Sequence, residues 1–310
     1  MPDRLMLLDT ASLYFRAFYG LPDTLRAPDG TPVNAVRGLL EFIAKLVGDY
    51  EPTHLVACWD DDWRPQWRVE LIPSYKAHRV AEVVETGGSV EEVPDPLEVQ
   101  VPVIREVLAA LGVPVVGAPD HEADDVIGSL ATQAEMPVDV VTGDRDLFQL
   151  VDDARDVRVV YTARGMSRLE VLTAASVVEK YRVLPEQYAD FAALRGDTSD
   201  GLPGVAGIGE KTAASLLGEF GDLDGVREAA TDASSAMSAR LRAKLGEASD
   251  YLDVAPKVVE VVRDLSLGFD VDEARITAPD ADVLEALGER WGLGTAMPRA
   301  AAALEAAARG

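Results

Sequence analysis

Apolar and polar positions along this chain follow two periods in turn. Short apolar runs ending on an acid recur at RLMLLD (4–9), THLVACWD (53–60) and VDVVTGD (138–144). Runs of this length, bounded by polar residues, predict buried strands. VPVVGA (113–118) and VRVVYT (157–162) predict two more. Between them the period lengthens. NAVRGLLEFIAKLVGDY (34–50) sets Leu39, Leu40, Ile43, Leu46 and Val47 on one helical side, and DPLEVQVPVIREVLAALG (95–112) predicts a helix stopped at Gly112. Strand, helix and strand at these lengths predict an α/β fold: a mainly parallel central sheet with helices on both faces.

The pattern breaks twice. Residues 63–95 carry Arg64, Arg68, Lys76 and Arg79, then the acidic, Gly- and Pro-rich AEVVETGGSVEEVPDP. This predicts an insertion, basic in its first half and partly mobile. Trp59, Trp63 and Trp67 recur every four residues, but Pro65 interrupts any helix between them, so packing explains them as well as base stacking does. From about residue 173 the pattern is mostly helical, down to the Ala-rich tail PRAAAALEAAARG. The expected organisation is an α/β core over 1–172 and a helical region over 173–310. No repeat of 20–50 residues occurs.

Composition narrows the class. The 310 residues are 48% hydrophobic, enough for a real core, and no run of 18 apolar residues predicts a membrane span. No signal peptide is recognisable in MPDRLMLLDT. The single cysteine, Cys58, excludes an internal disulfide framework, fits a reducing cytoplasm and lies in a strand-like run that predicts a buried, inert thiol. The net charge of −25 argues against nucleic acid as a partner, yet total charge does not exclude a local basic patch.

Acids cluster where strands give out. Asp9, Asp60 and Asp144 end three of the runs, and EADDVIGSL (122–130) puts Glu122, Asp124 and Asp125 after a fourth. In such sheets ligands bind beyond the carboxyl ends of the strands. TGDRD adds Asp146, and DTSD (197–200) adds Asp197 and Asp200. Each group has a plain alternative. Helix starts favour acids, DTSD suits a helix cap, and GDRD suits a polar turn. Together they make up to nine carboxylates with no histidine or cysteine beside them. Oxygen-only donors select Mg²⁺ or Mn²⁺ rather than zinc. Two such ions suit phosphodiester cleavage. Downstream, GLPGVAGIGEKTAASLLGEFG (201–221) has the form of a helix–hairpin–helix, with the motif at about 201–218. Its Gly204, Gly207 and Gly209 open a helix that begins with Lys211 and Thr212. Such a turn offers N–H donors to a backbone phosphate without reading bases. A tight turn between packed helices is the alternative. A Walker-type nucleotide loop is excluded by spacing.

LLDTASLYFRAFYGLP (7–22), PSYKAHR (73–79), EADDVIGSLA (122–131), TGDRDLFQLV (142–151) and LRGDTSDGLPGVAGIGEKTA (194–213) resemble, in order, the blocks of bacterial 5′ nucleases of the flap endonuclease family. That family includes the N-terminal nuclease domain of DNA polymerase I. The resemblance implies a PIN-like 5′-nuclease fold. It implies that Asp9, Asp60, Glu122, Asp124 and Asp125 hold one metal cluster and Asp144, Asp146, Asp197 and Asp200 a second. It further implies that 63–95 is a helical arch over a single-stranded 5′ end, with Lys76 and Arg79 steadying the scissile phosphate. Arg16 matches a family arginine near the active site, and Tyr19 an aromatic at the terminal base. K⁺ at the helix–hairpin–helix is implied too. Two departures stand out. WDDDW leaves Asp60 and Asp61 competing for one place, with strand phase favouring Asp60. Gly201 and Ala206 replace Asn and Pro of the usual SDNIPGVPGIG pattern.

The expected function is a metal-dependent 5′-3′ exonuclease and flap endonuclease, a monomer acting in the cytoplasm and nucleoid in replication and repair. The expected partner is DNA with a 5′ flap, a 5′ overhang, or a nick or gap, and RNA–DNA hybrids besides. Arg64, Arg68, Lys76, Arg79 and Lys211 are the expected local DNA contacts. A PIN-type ribonuclease and a non-catalytic structure-specific DNA-binding protein are the alternatives.

Overall fold

The computed structural model describes residues 3–83 and 89–310. Its strands are β1 (Leu5–Asp9), β2 (His54–Cys58), β3 (Val80–Val83), β4 (Ser89–Glu91), β5 (Val115–Val116), β6 (Val138–Thr142), β7 (Val157–Tyr161) and β8 (Glu170–Leu172). Six of them form one sheet in the order β5-β2-β1-β6-β7-β8. Every pairing in it is parallel except that of β7 with β8. The chain therefore winds outward both ways from β1. Every residue of β1, β2 and β6 is buried, so these strands are apolar almost throughout.

Alternate side chains enter separate cores. Leu5, Leu7, Val56, Cys58, Val138 and Val140 join one apolar cluster; Met6, Leu8, Leu55, Ala57 and Val141 join another on the opposite face. Cys58 is a free thiol there, and burial pushes it well above the ordinary cysteine range, as an inert core residue requires. The helices are α1 (Thr10–Gly20), α2 (Asn34–Tyr50), α3 (Gln66–Leu71), α4 (Asp95–Glu98), α5 (Val101–Ala110), α6 (Ala123–Gln133), α7 (Ala174–Tyr181), α8 (Tyr188–Arg195), α9 (Glu210–Phe220), α10 (Leu223–Thr231), α11 (Ala239–Glu247), α12 (Ser249–Leu252), α13 (Ala255–Val259), α14 (Ala281–Arg290) and α15 (Ala296–Ala308). Helix α6 and the helices from α7 to α12 lie on the first face; α2, α5, α14 and α15 cover the second. Among the described residues no helix is long and apolar enough to cross a membrane.

Three expectations change. The helix expected over 95–112 is broken between α4 and α5, because Pro102 cannot donate to a preceding carbonyl. Gln100 at the break bonds across to Asn34 and the Ala35 amide instead. The strand expected over 113–118 shrinks to β5. The insertion is only partly helical among the described residues. After α3 it runs through a 3₁₀ turn, Ala77–Arg79, into the antiparallel pair β3–β4. Pro73 and the β-branched Val80 and Val83 do not favour a continuous helix there. Residues 84–88 of the stretch expected to be mobile lie outside the described residues. The tryptophans are structural: Trp59 is buried, Trp63 Nε1 donates to the Ser89 carbonyl at 3.0 Å, and Trp67 Nε1 to that of Asp120 at 3.1 Å.

Candidate active site

The carboxyl edge of the sheet delivers its acids to one cavity. Asp9 closes β1, Asp60 and Asp144 each lie two residues beyond β2 and β6, and Asp124 stands in the first turn of α6. All four line a space of about 250 Å³, together with Phe15, Trp63, Lys76, Arg79 and Glu91. Asp61 turns away, to Arg105 at 3.5 Å, so the competition in WDDDW falls to Asp60.

Backbone and hydroxyl donors fix these side chains. Asp9 Oδ2 accepts from Thr142 Oγ1 at 2.6 Å and Oδ1 from the Ser12 amide at 3.1 Å. Asp60 Oδ1 accepts from the Ala123 amide at 2.8 Å, and Asp144 Oδ1 from the Asp146 amide at 2.8 Å. Burial, then the Asp60 and Asp144 charges, push Asp9 up to about 7 against the pull of Thr142. Burial, then Asp144 and Asp9, raise Asp124 well above the carboxylate range. Burial also raises Asp60, Asp146 and Asp200. Asp144 is a like-charge neighbour of Asp146 and Asp200, so it links the two acidic groups. Acids crowded in this way are relieved by a proton or by a cation.

The nine expected ligands divide into two kinds. Among the described residues, no basic side chain lies on the oxygens of Asp9, Asp60, Asp124, Asp144 and Asp146, and Asp200 has only a long contact of 3.4 Å from Arg79. The other three are ion-paired. Arg68 donates to Asp125 with both Nη atoms at 2.7 Å and to Glu122 Oε2 at 2.6 Å. Glu122 also accepts from Tyr75 Oη at 2.6 Å and pairs with Lys76. Asp197 meets Arg195 at 3.1 Å and Arg145 at 3.3 Å, and Ser199 and these arginines hold it below its ordinary value despite burial. Glu122 and Asp125 do not line the cavity. As they stand they anchor Arg68 and Lys76 rather than facing the cavity. Arg68, expected at the DNA surface, is 2% exposed and also donates to the Val258 and Glu260 carbonyls. Arg64 is likewise engaged, with the Tyr75 and Pro73 carbonyls and Ser89. Sequence spacing cannot separate a carboxylate facing an ion from one facing an arginine.

The donor set fits divalent ions. Asp146 Oδ1 is buried with no hydrogen-bond partner, an orphan that a cation would satisfy. Among the described residues no three acid or imidazole side chains close tightly enough around one point to cage an ion as they stand. Glu91 joins the site unannounced, and Tyr75 and Arg195, though inside the PSYKAHR and LRGDTSD blocks, were not singled out. Beside the cavity, and sharing Ser12 and Phe15 with it, a second hollow holds Arg16 and Tyr19, the latter 71% exposed.

The hairpin glycines are not equivalent. Gly204, at φ +66°, leaves only 2.5 Å between an added Cβ and the Gly196 amide nitrogen, so it serves packing rather than a phosphate. Gly209, before α9, has open space around it, with Lys211 exposed and Thr212 half-buried beside it. The Gly207 carbonyl accepts from Lys244 Nζ at 3.1 Å. A K⁺ ion at that oxygen would have to displace the Lys244 ammonium.

Residues 4–182 match the family described as 5′-3′ exonuclease, N-terminal resolvase-like domain, and residues 183–282 its C-terminal SAM fold. A parallel sheet with acids at its carboxyl edge, joined to a helical hairpin region, is the architecture of a nuclease. This chain belongs to the 5′-3′ exonuclease family. It is 61% identical over 295 residues to a 5′-3′ exonuclease of Streptomyces coelicolor, covering 95% of this chain and 98% of that one. It is 42% identical over 287 residues to DNA polymerase I of Mycobacterium tuberculosis, covering 91% of this chain but 30% of the polymerase. Among solved structures, the T5 D15 protein co-crystallised with metal ions matches with a TM-score of 0.65 at 19% identity, over 96% of this chain and all of that one.

Proposed function

We propose that this chain hydrolyses DNA phosphodiesters near the junction of a 5′ single strand and a duplex, as a divalent-ion-dependent exonuclease and flap endonuclease. One observation carries the reading: four carboxylates without basic partners, from four separate segments, line one cavity whose rim holds Lys76 and Arg79. Asp9, Asp60, Asp124 and Asp144 would hold one ion, and Asp144, Asp146 and Asp200 a second. Bound there, Mg²⁺ or Mn²⁺ lets water attack at neutral pH and neutralises charge on the leaving oxygen. The chain's own residues do the rest. Arg79 and Lys76 draw the scissile phosphate to the carboxylates, Glu122 holds the Lys76 ammonium in place, and Arg68 fixes Glu122. Arg16 and the exposed Tyr19 offer a charge and a ring face to the 5′ end in the neighbouring hollow. The α9 N-terminus, with Gly209, Lys211 and Thr212, accepts a duplex phosphate. Substrates with a 5′ flap, overhang, nick or gap present all these groups together.

A 5′-flap DNA labelled at its 3′ end tests the reading, with and without Mn²⁺, beside Asp144→Asn. Ion-dependent cuts near the junction, lost in the variant, are expected. Binding without cutting under any divalent ion would sink the catalytic assignment.

A further inference from the structure

The turn carrying Asp197 and Asp200 and the base of the arch are joined by their backbones. The Lys76 amide donates to the Asp200 carbonyl at 2.9 Å. Ser74 Oγ donates to the Gly201 carbonyl at 2.7 Å, and Arg79 Nη2 to the Ser199 carbonyl at 2.8 Å. Beneath these bonds, Ile72 and Tyr75 share a small apolar cluster with Leu202 and with side chains of α8 and α13. The join depends on an absent side chain. A Cβ on Gly201 would lie 2.0 Å from the Ser74 carbonyl oxygen, a separation that only backbone movement relieves. The φ of +70° at Gly201 does not by itself demand glycine, because asparagine also adopts it. It is the close approach of the Ser74 carbonyl, not the backbone angle, that calls for glycine here.

We propose that Gly201 is a positioning residue. It lets the arch base dock on the second group of carboxylates, so that the setting of Lys76 fixes the setting of Asp200. Lys76 at once pairs with Glu122 in the cavity and bonds to Asp200 through its backbone. A strand that displaces the arch base would move Asp200 with it, and the ion site would report how the substrate sits. The inference rests on the nuclease reading for its meaning but not for its test.

The test uses the full chain carrying Gly201→Asn, which keeps the backbone conformation and adds only the bulk, beside Ser74→Ala, which removes one bond without bulk. Hydrogen exchange of the Lys76 amide reads the docking, and calorimetric Mn²⁺ affinity reads the carboxylates with no DNA present. In Gly201→Asn the amide is expected to exchange about tenfold faster, and the Mn²⁺ dissociation constant to rise about three- to tenfold, as loss of one hydrogen bond implies. Ser74→Ala should shift both in the same direction by roughly two- to threefold. Unchanged exchange in Gly201→Asn would overturn the docking. Faster exchange with unchanged Mn²⁺ affinity would overturn the positioning role. Failure of the wild-type chain to cut flap DNA would instead defeat the nuclease reading, and the two binding readouts would still decide the role of Gly201.

Discussion

Asp9 stands among charges of its own sign, and its protonation follows from that. Its folded value of about 7 lies above the 3.8 of a free aspartate, so between those limits the native chain holds a proton that the unfolded chain has lost. Folding stability without divalent ions must then fall as pH rises through that window. Asp60, Asp124, Asp146 and Asp200 are raised too and act in the same direction. Asp197, held low, keeps its stabilising charge throughout the window. Thermal melts in EDTA are expected to show Tm falling from pH 5 to pH 8. With Mn²⁺ present the fall should flatten or reverse, because the ion replaces the proton. A Tm in EDTA that rises over this range would contradict the buried, unpaired state of these acids.

Three helices meet at Arg68. It leaves α3, binds Glu122 and Asp125 at the start of α6, and caps the carbonyls of Val258 and Glu260 around the end of α13. Arg68→Met strands two buried carboxylates, and breaking such a pair costs about 3–5 kcal/mol. Urea unfolding should show that loss, whereas Arg64→Met, nearer the surface, should lose far less. Elements of this kind were unevenly legible in the sequence. Helix α2 runs Asn34–Tyr50, the span its periodicity predicts, because packing and pattern agree there. The parallel sheet and the acids at its edge were equally plain. Arg68 was misread as a DNA contact, since sequence gives a charge but not the direction in which it points. For the same reason, nothing in EADD told Asp124, which enters the cavity, from Asp125, which faces Arg68.

The whole molecule carries a charge of −25, so DNA must be held by a few well-placed cations. Lys76 and Arg79 at the cavity, Arg16 in the neighbouring hollow and Lys211 at the hairpin make a sparse set. Without divalent ions, flap-DNA binding is expected to weaken with salt at about 0.9 decade per decade for each phosphate neutralised, hence a slope no steeper than about −4. Fluorescence anisotropy from low to moderate salt measures it, and a flat response would exclude these contacts. The far face of the sheet makes a different demand. Helix α15 lies along α2, and Met297, Ala300 and Leu304 share one cluster with Leu39, Ile43, Leu46, Met6 and Leu8. A chain ended before Ala296 should uncover that face and associate in solution, which light scattering would show. The side of α2 whose cover is encoded some 250 residues downstream stays open for tens of seconds while a ribosome adding about 5–20 residues per second reaches α15. Synthesis therefore runs ahead of packing: α2 leaves the tunnel well before the helix that covers it has been made.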